Sequence, residues 1–135
     1  MPGRVDADIE KILPLLPLKD AANLTPQRAR EELTSLAESR KDLPLPQPAA
    51  VADTVIAGAT GPIAARLYRP AKRPAATVVF FHGGGWVFGD QQSDDPFCRD
   101  LCRRTGMIFV SVGYRHAPEH RFPAAAEDGY AATRW

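Results

Sequence analysis

Residues 82 to 86 read His82-Gly83-Gly84-Gly85-Trp86, directly after the apolar run "TVVFF" at 77–81. Contiguous glycines are costly in backbone entropy, and a plain tight turn needs one or two of them. Side chains on three successive residues would block the backbone from approaching a ligand, and three glycines clear that approach. The chemistry that needs such clearance is acyl transfer. Its tetrahedral intermediate carries an oxyanion, which two or three backbone N–H groups must meet from about 2.7–3.1 Å. Gly83, Gly84 and Gly85 are therefore candidate oxyanion donors.

Other glycine loops fit less well. A dinucleotide loop is G-x-G-x-x-G running straight into a helix, with an acidic residue about 20 positions on. Here Trp86 and Phe88 follow at once and the next helix starts later. A phosphate loop ends in Gly-Lys-Ser/Thr, which is absent. His116 and His120 flank Glu119 at a spacing of four, but Pro118 interrupts any helix, so they read as surface or loop histidines and not as a zinc pair. No metal or cofactor is expected.

Stepping outward, the elements that must hold this loop follow from periodicity. Val5, Ile9, Ile12, Leu13 and Leu16 recur at helical spacing, with Asp6 and Asp8 at the helix start and Pro14 and Pro17 ending or distorting it. Thr25-Pro26 caps and opens a second helix whose apolar stripe is Ala29, Leu33 and Leu36. "KDLPLPQPAA" then reads as an extended linker. From about residue 50 the period becomes two, and "AVADTVIA" with "GPIAARLYRP" reads as an antiparallel pair. "TVVFF" and "MIFVSV" (107–112) are apolar on both faces, as buried central strands require. A helix from Ser93 or Asp95 through about Thr105, closed by Gly106, joins them as a parallel crossover. Pro123 opens a last helix. Asp94-Asp95 reads as helix capping, and the Arg66, Arg69, Lys72, Arg73 cluster as a solvated strand end and turn.

Composition narrows the class. The chain has 135 residues, 44% hydrophobic and 24% charged, with net charge +1. That balance leaves no electrostatic footprint for nucleic acid or an acidic membrane. No apolar run approaches the ~18 residues of a membrane span. The amino end is too polar for a secretory signal. Cys98 and Cys102 read as small core residues four apart on a helix, which fits a reducing, cytoplasmic setting.

"VVFFHGGGWVFGD" at 78–90 and "VSVGYRHAPEHRFPAAAEDGYAATRW" at 110–135 together resemble the hormone-sensitive-lipase family of α/β-hydrolases, the branch with bacterial carboxylesterases and lipases. HGGG is an oxyanion motif of lipases and esterases, on the loop after the third strand. The resemblance implies the amino-terminal portion of an α/β-hydrolase fold: a two-strand antiparallel start, a parallel β-α-β unit and a helical amino-terminal cap. It divides the chain into a cap region and proline-rich linker at 1–45 and an incomplete hydrolase domain at 46–135. It makes Gly84 and Gly85, with Gly83, the oxyanion donors, and has His82 orient the loop by hydrogen bonding. Trp86 would line the acyl or alcohol pocket, or pack in the core. Arg115 is expected to pair with Glu119 or Asp128 behind the loop. The sequence departs from the family at Gly113, where Asp is usual, and at His116, where Leu is usual.

The family's nucleophile sits in Gly-x-Ser-x-Gly, followed in chain order by the acid and the base. None of Ser35, Ser39, Ser93 and Ser111 is so flanked. The expectation is a truncated carboxylic-ester hydrolase, carrying the oxyanion loop without nucleophile, acid or base and inactive alone. Its parent would hydrolyse short to medium acyl esters through a serine acyl-enzyme. The alternative is a non-catalytic binding or regulatory half-domain. The resemblance also places "TVVFF" beside an absent strand, an exposed apolar edge prone to aggregation.

Overall fold

A computed structural model describes residues 5–13, 23–40 and 42–135. Two short helices lead: α1 (Ala7–Ile12) and α2 (Pro26–Ser39). Asp6 caps α1 by accepting from the Asp8 amide at 2.9 Å, and Thr25 caps α2 by accepting from the Arg28 amide at 3.2 Å. Both caps use a short oxygen side chain to satisfy an N–H that has no partner inside the helix. Ala29 is buried on α2, while Val5, Ile9 and Leu13 stay exposed. Pro14, Leu16 and Pro17 lie outside the described residues.

Four strands follow: β1 (Ala50–Gly58), β2 (Gly61–Arg69), β3 (Thr77–Phe81) and β4 (Ile108–Gly113). They form one mixed sheet in the order β1-β2-β4-β3. β1 and β2 pair antiparallel from Ala50↔Arg69 to Gly58↔Gly61, as the alternation predicts. β3 and β4 pair parallel, with α3 (Asp95–Thr105) as the crossover. β2 also pairs antiparallel with β4, which joins the two halves. β3 is therefore an edge strand in these residues, its side chains half-buried or exposed.

Each sheet face carries its own core. On one face Ile56, Ile63, Ala65, Val110 and Val112 pack under Ala132 of α4 (Ala124–Arg134). On the other, Tyr68 and Phe109 pack under Cys98 and Cys102 of α3. Cysteines four apart share one face of a helix, which is why both reach the sheet. They are free thiols, and burial pushes Cys98 up to about 12, helped by the Asp94 and Asp95 charges. Complete burial of a side chain such as Ile56 or Val112 contributes about 1.5–3 kcal/mol. Gly106 ends α3 in the left-handed region, donating to the Cys102 carbonyl at 3.0 Å.

Two sequence expectations need correction. Asp94 does take the N-cap position of α3, but its side chain makes no capping bond. Asp95 is buried and is no solvated cap. Its Oδ1 accepts from the Tyr68 hydroxyl at 2.9 Å and from Arg66 at 3.1 Å, and its Oδ2 accepts from Arg99 at 2.6 Å. Arg66 is likewise no free strand-end cation. It is four-fifths buried and also donates twice to Asp53 of β1, at 2.6 and 3.2 Å, and to Gln92 at 3.0 Å. A buried carboxylate needs such partners, so the start of α3 is pinned to β1 and β2 by charge. Among the described residues no helix is long and apolar enough to cross a membrane.

Candidate functional site

The HGGGW loop leaves β3 at the edge of the sheet. A cavity of about 490 Å³ opens beside it, lined by Phe81, residues 82–86, Tyr114 and the α4 residues Ala125, Gly129, Tyr130 and Thr133. Among the described residues, none of the N–H groups of Gly83, Gly84 and Gly85 donates to a protein acceptor. The loop closes on itself through the Gly84 carbonyl, which accepts from the Val87 and Phe88 amides, both at 3.1 Å.

The orientation of these donors is set through their peptide planes. A trans peptide is rigid, so the direction of one residue's carbonyl fixes the next residue's N–H on the opposite side. The Tyr114 hydroxyl donates to the His82 carbonyl at 2.7 Å, which fixes the Gly83 N–H. His82 Nδ1 lies 2.8 Å from the Gly83 carbonyl, which fixes the Gly84 N–H. A carbonyl can only accept, so Nδ1 carries the ring proton. The Val87 and Phe88 amides hold the Gly84 carbonyl, which fixes the Gly85 N–H. Three consecutive donors are thus aimed by four hydrogen bonds to the three carbonyls on their far side.

His82 is buried at 3% exposure, stacked on Tyr114 with ring centroids 4.3 Å apart and 13° between planes. The imidazole is thus buried and bonded within the loop. His116 lies in the loop after β4, one of the two placements expected, but turned inward. It is half-buried and stands edge-on to both rings, 5.2 Å from His82 and 5.1 Å from Tyr114. The nearby chain supplies this shelf because Pro118 keeps the segment out of a helix. Burial lowers the His116 pKa, and the neighbouring His82 and Arg30 act in the same direction. Its ring packs edge-on against the His82–Tyr114 pair as a third aromatic.

Trp86 is 68% exposed and borders the cavity, so the core-packing alternative fails. Its φ of 61° is left-handed, a costly backbone for a bulky residue that persists only where neighbours enforce it. The Trp86 carbonyl accepts from the Ala117 amide at 2.8 Å, which anchors the tryptophan to the β4–α4 loop. Gly89, which the sequence reading passed over, sits behind the site with φ 91°. A Cβ there would stand 2.6 Å from His82 Nδ1, and closer still to the Gly83 carbonyl. At Gly84, φ is 126° and a Cβ would meet the Phe88 carbonyl carbon at 2.6 Å.

Arg115 chooses Asp128 and leaves Glu119. Its Nε and Nη2 donate to both Asp128 oxygens at 2.8–3.1 Å, its amide donates to Oδ2 at 2.9 Å, and Nη2 also reaches the Ala124 carbonyl at 3.3 Å. Burial pulls the Asp128 carboxyl up, but the Arg115 guanidinium and amide outweigh it and hold it below the usual carboxylate range. Glu119 instead pairs with Arg30 on α2, two bonds of 2.8 Å each. The departure at Gly113 has a local cause: a Cβ there would come within 3.3 Å of Gln91 and 3.2 Å of the Ala64 carbonyl. Gln91 occupies that space and donates to the Ser111 carbonyl at 3.1 Å.

A strand-ending glycine loop beside a parallel β-α-β unit matches known proteins. Residues 78–135 match a family model described as the alpha/beta hydrolase fold. The chain carries part of the α/β-hydrolase fold. Esterase LipI of Mycobacterium tuberculosis is 38% identical over 135 residues, covering 97% of this chain and 41% of that protein. Ethyl acetate hydrolase of Pseudomonas putida is 38% identical over 133 residues, covering 93% of this chain and 39% of that protein. A solved hyperthermophilic esterase from the archaeon Pyrobaculum calidifontis superposes with a TM-score of 0.86 at 36% identity, covering 98% of this chain and 44% of that one. The chain thus spans about two fifths of the length of these α/β-hydrolase relatives.

Proposed function

We propose that residues 82–86 form the oxyanion half of a carboxylic-ester hydrolase site. Gly84 and Gly85 are the donors with Gly83 beside them, His82 orients the loop and Trp86 lines the substrate cavity. The observation that carries this reading is the set of three successive N–H groups, unpaired among the described residues and each aimed by hydrogen bonding to the carbonyl behind it. In the full reaction a serine oxygen bonds to the acyl carbon and the carbonyl π pair moves onto oxygen. The loop N–H groups stabilise that charge where water is excluded. Collapse of the intermediate breaks the bond to the alcohol, which leaves with a proton from the base. Water then repeats the sequence on the acyl-enzyme.

Residues 1–135 hold no Gly-x-Ser-x-Gly, so on their own they should turn over no ester. Short to medium acyl esters are the proposed substrate class, supported by a relative named for ethyl acetate hydrolysis. Residues 1–45 act as the cap and 46–135 as the hydrolase portion. The test is a fusion of residues 1–135 to the remaining carboxyl-terminal part of the Pyrobaculum calidifontis esterase, assayed on p-nitrophenyl butyrate. The fusion should hydrolyse the ester, and Gly84→Ala should lower kcat by about 10²-fold, the effect of displacing a catalytic group by about an ångström. A kcat indifferent to Gly84→Ala would contradict the reading. So would Gly84-dependent turnover by residues 1–135 alone.

A further inference from the structure

We infer that Arg30 is a positioning residue for the oxyanion loop, acting from the cap helix α2. Its guanidinium reaches two segments at once. Nε donates to the Val87 carbonyl at 2.9 Å and Nη2 to the Ala117 carbonyl at 3.0 Å, while Nη1 and Nη2 grip Glu119. Those two segments are already joined by the Ala117 amide on the Trp86 carbonyl. Arg30 therefore closes a ring of contacts around Trp86, the one non-glycine residue with a left-handed φ among the described residues. A backbone of that kind holds only where its surroundings over-determine it.

The same contacts lead to a donor. Arg30 holds the Val87 carbonyl, which shares a rigid plane with the Phe88 amide, and the Phe88 amide holds the Gly84 carbonyl. The Gly84 carbonyl shares a rigid plane with the Gly85 N–H. An unbroken chain of hydrogen bonds thus runs from α2 to the direction of that N–H. Tyr114 and His82 perform the equivalent task for Gly83 and Gly84, but from the loop's inner side.

The carbonyl bonds, and not the ion pair, carry the effect. Arg30 and Glu119 are 34% and 55% exposed, and an ion pair at such exposure contributes little. The pair instead keeps the fork in plane. The Arg30 guanidinium holds the Glu119 carboxyl at about 2, so the arrangement does not change through the neutral pH range. Only a planar fork serves three acceptors in fixed directions, and a lysine ammonium is a single point charge.

The inference rests on the oxyanion reading for its catalytic meaning, and two arms separate the two. In the first, amide exchange is followed in the 135-residue chain. Arg30→Met and Arg30→Lys should each speed exchange at Val87, Phe88 and Ala117 by at least about tenfold, with Val110 and Val112 of β4 unchanged. Glu119→Gln should move those amides by less than about threefold. If Arg30→Met unfolds β4 as well, Arg30→Lys decides. Unchanged loop exchange in Arg30→Lys, or an equal effect from Glu119→Gln, overturns the inference. In the second arm, Arg30→Lys in the esterase fusion should lower kcat about tenfold with KM nearly constant, the signature of an interaction made in the transition state. A change in KM alone overturns the positioning role. Faster loop exchange with a fusion indifferent to Gly84→Ala overturns the oxyanion reading and leaves Arg30 as the loop's strap.

Discussion

Gly89→Ala tests whether the oxyanion loop is held from behind as tightly as the geometry implies. Gly89 has φ 91°, and an added Cβ would lie 2.6 Å from His82 Nδ1, where ordinary contact begins at 3.4 Å. The imidazole cannot retreat, since it is stacked on Tyr114 and buried. The Gly83 carbonyl and the ring would both have to give way by most of an ångström, against that packing. A left-handed backbone costs an alanine about 1–2 kcal/mol, and overfilling a packed site adds about 1–3 kcal/mol. Gly85→Ala is the control. It has φ 60° with nothing within 4 Å of the added Cβ, so only the backbone cost applies. For a chain of this size each kcal/mol lowers Tm by roughly 3–5 °C. Gly89→Ala should therefore melt about 6 °C or more below the parent, and about twice as far below it as Gly85→Ala. The loop has one escape: it can let go of the sheet and cap the loss at its own opening free energy. Exchange at the Val87 and Phe88 amides would then rise in Gly89→Ala and not in Gly85→Ala. Equal melting temperatures with equal loop exchange in the two variants would refute the reasoning.

Asp95→Ala should destabilise the fold by about 3–5 kcal/mol, because Tyr68, Arg66 and Arg99 lose a shared buried acceptor. A thermal melt showing less than about 1 kcal/mol would contradict that. Asp128 is held below the usual carboxylate range by Arg115 despite its burial, so its stabilising contribution is complete above about pH 4 and is lost as pH falls through its lowered folded value. Asp128→Asn should therefore flatten the acid limb of urea midpoints measured from pH 6 to 2, and an unchanged slope would argue against the pair. Cys98 and Cys102 are buried and the Cys98 thiol is pushed up to about 12, so Ellman's reagent at pH 8 should label neither until denaturant is added. Labelling of the native chain within minutes would show that α3 is not seated on the sheet.

What could be read from the sequence was local. The alternation in β1 and β2, the doubly apolar β3 and β4, the Thr25-Pro26 start of α2 and the Gly106 stop of α3 each follow from residues within a few positions of one another. HGGGW belongs to the same class: five adjacent residues suggest the chemistry proposed above. The residues that the sequence misread or did not place share a different property. Asp95 stands before a proline at a helix start, which is what a cap looks like; its burial depends on Tyr68 and Arg66, 27 and 29 residues earlier. Glu119 pairs with Arg30 across 89 residues. On the exposed helix pattern of α2, Arg30 looks like any solvated cation. His116 follows a strand and precedes a proline, so nothing nearby says it will lie against His82. Gly89 resembles an ordinary loop glycine until His82 Nδ1 is seen where its side chain would be.

This division says where the site's geometry resides. The motif supplies three donors and removes the side chains that would block them, but it does not aim all of them. The Gly84 N–H is aimed from within the motif, by His82 on the Gly83 carbonyl. The Gly83 N–H is aimed from the end of β4, by Tyr114 on the His82 carbonyl. The Gly85 N–H is aimed through Val87 and Phe88, which α2 holds through Arg30. Stabilising an oxyanion depends on donors that need no reorganisation as charge develops. A chain could therefore keep HGGGW intact and lose the pre-set direction of its donors through Tyr114 or Arg30 alone. Under the proposed oxyanion role, α2 is part of the device that aims the donors, and substitutions in α2 should register in the transition state before they register in substrate binding.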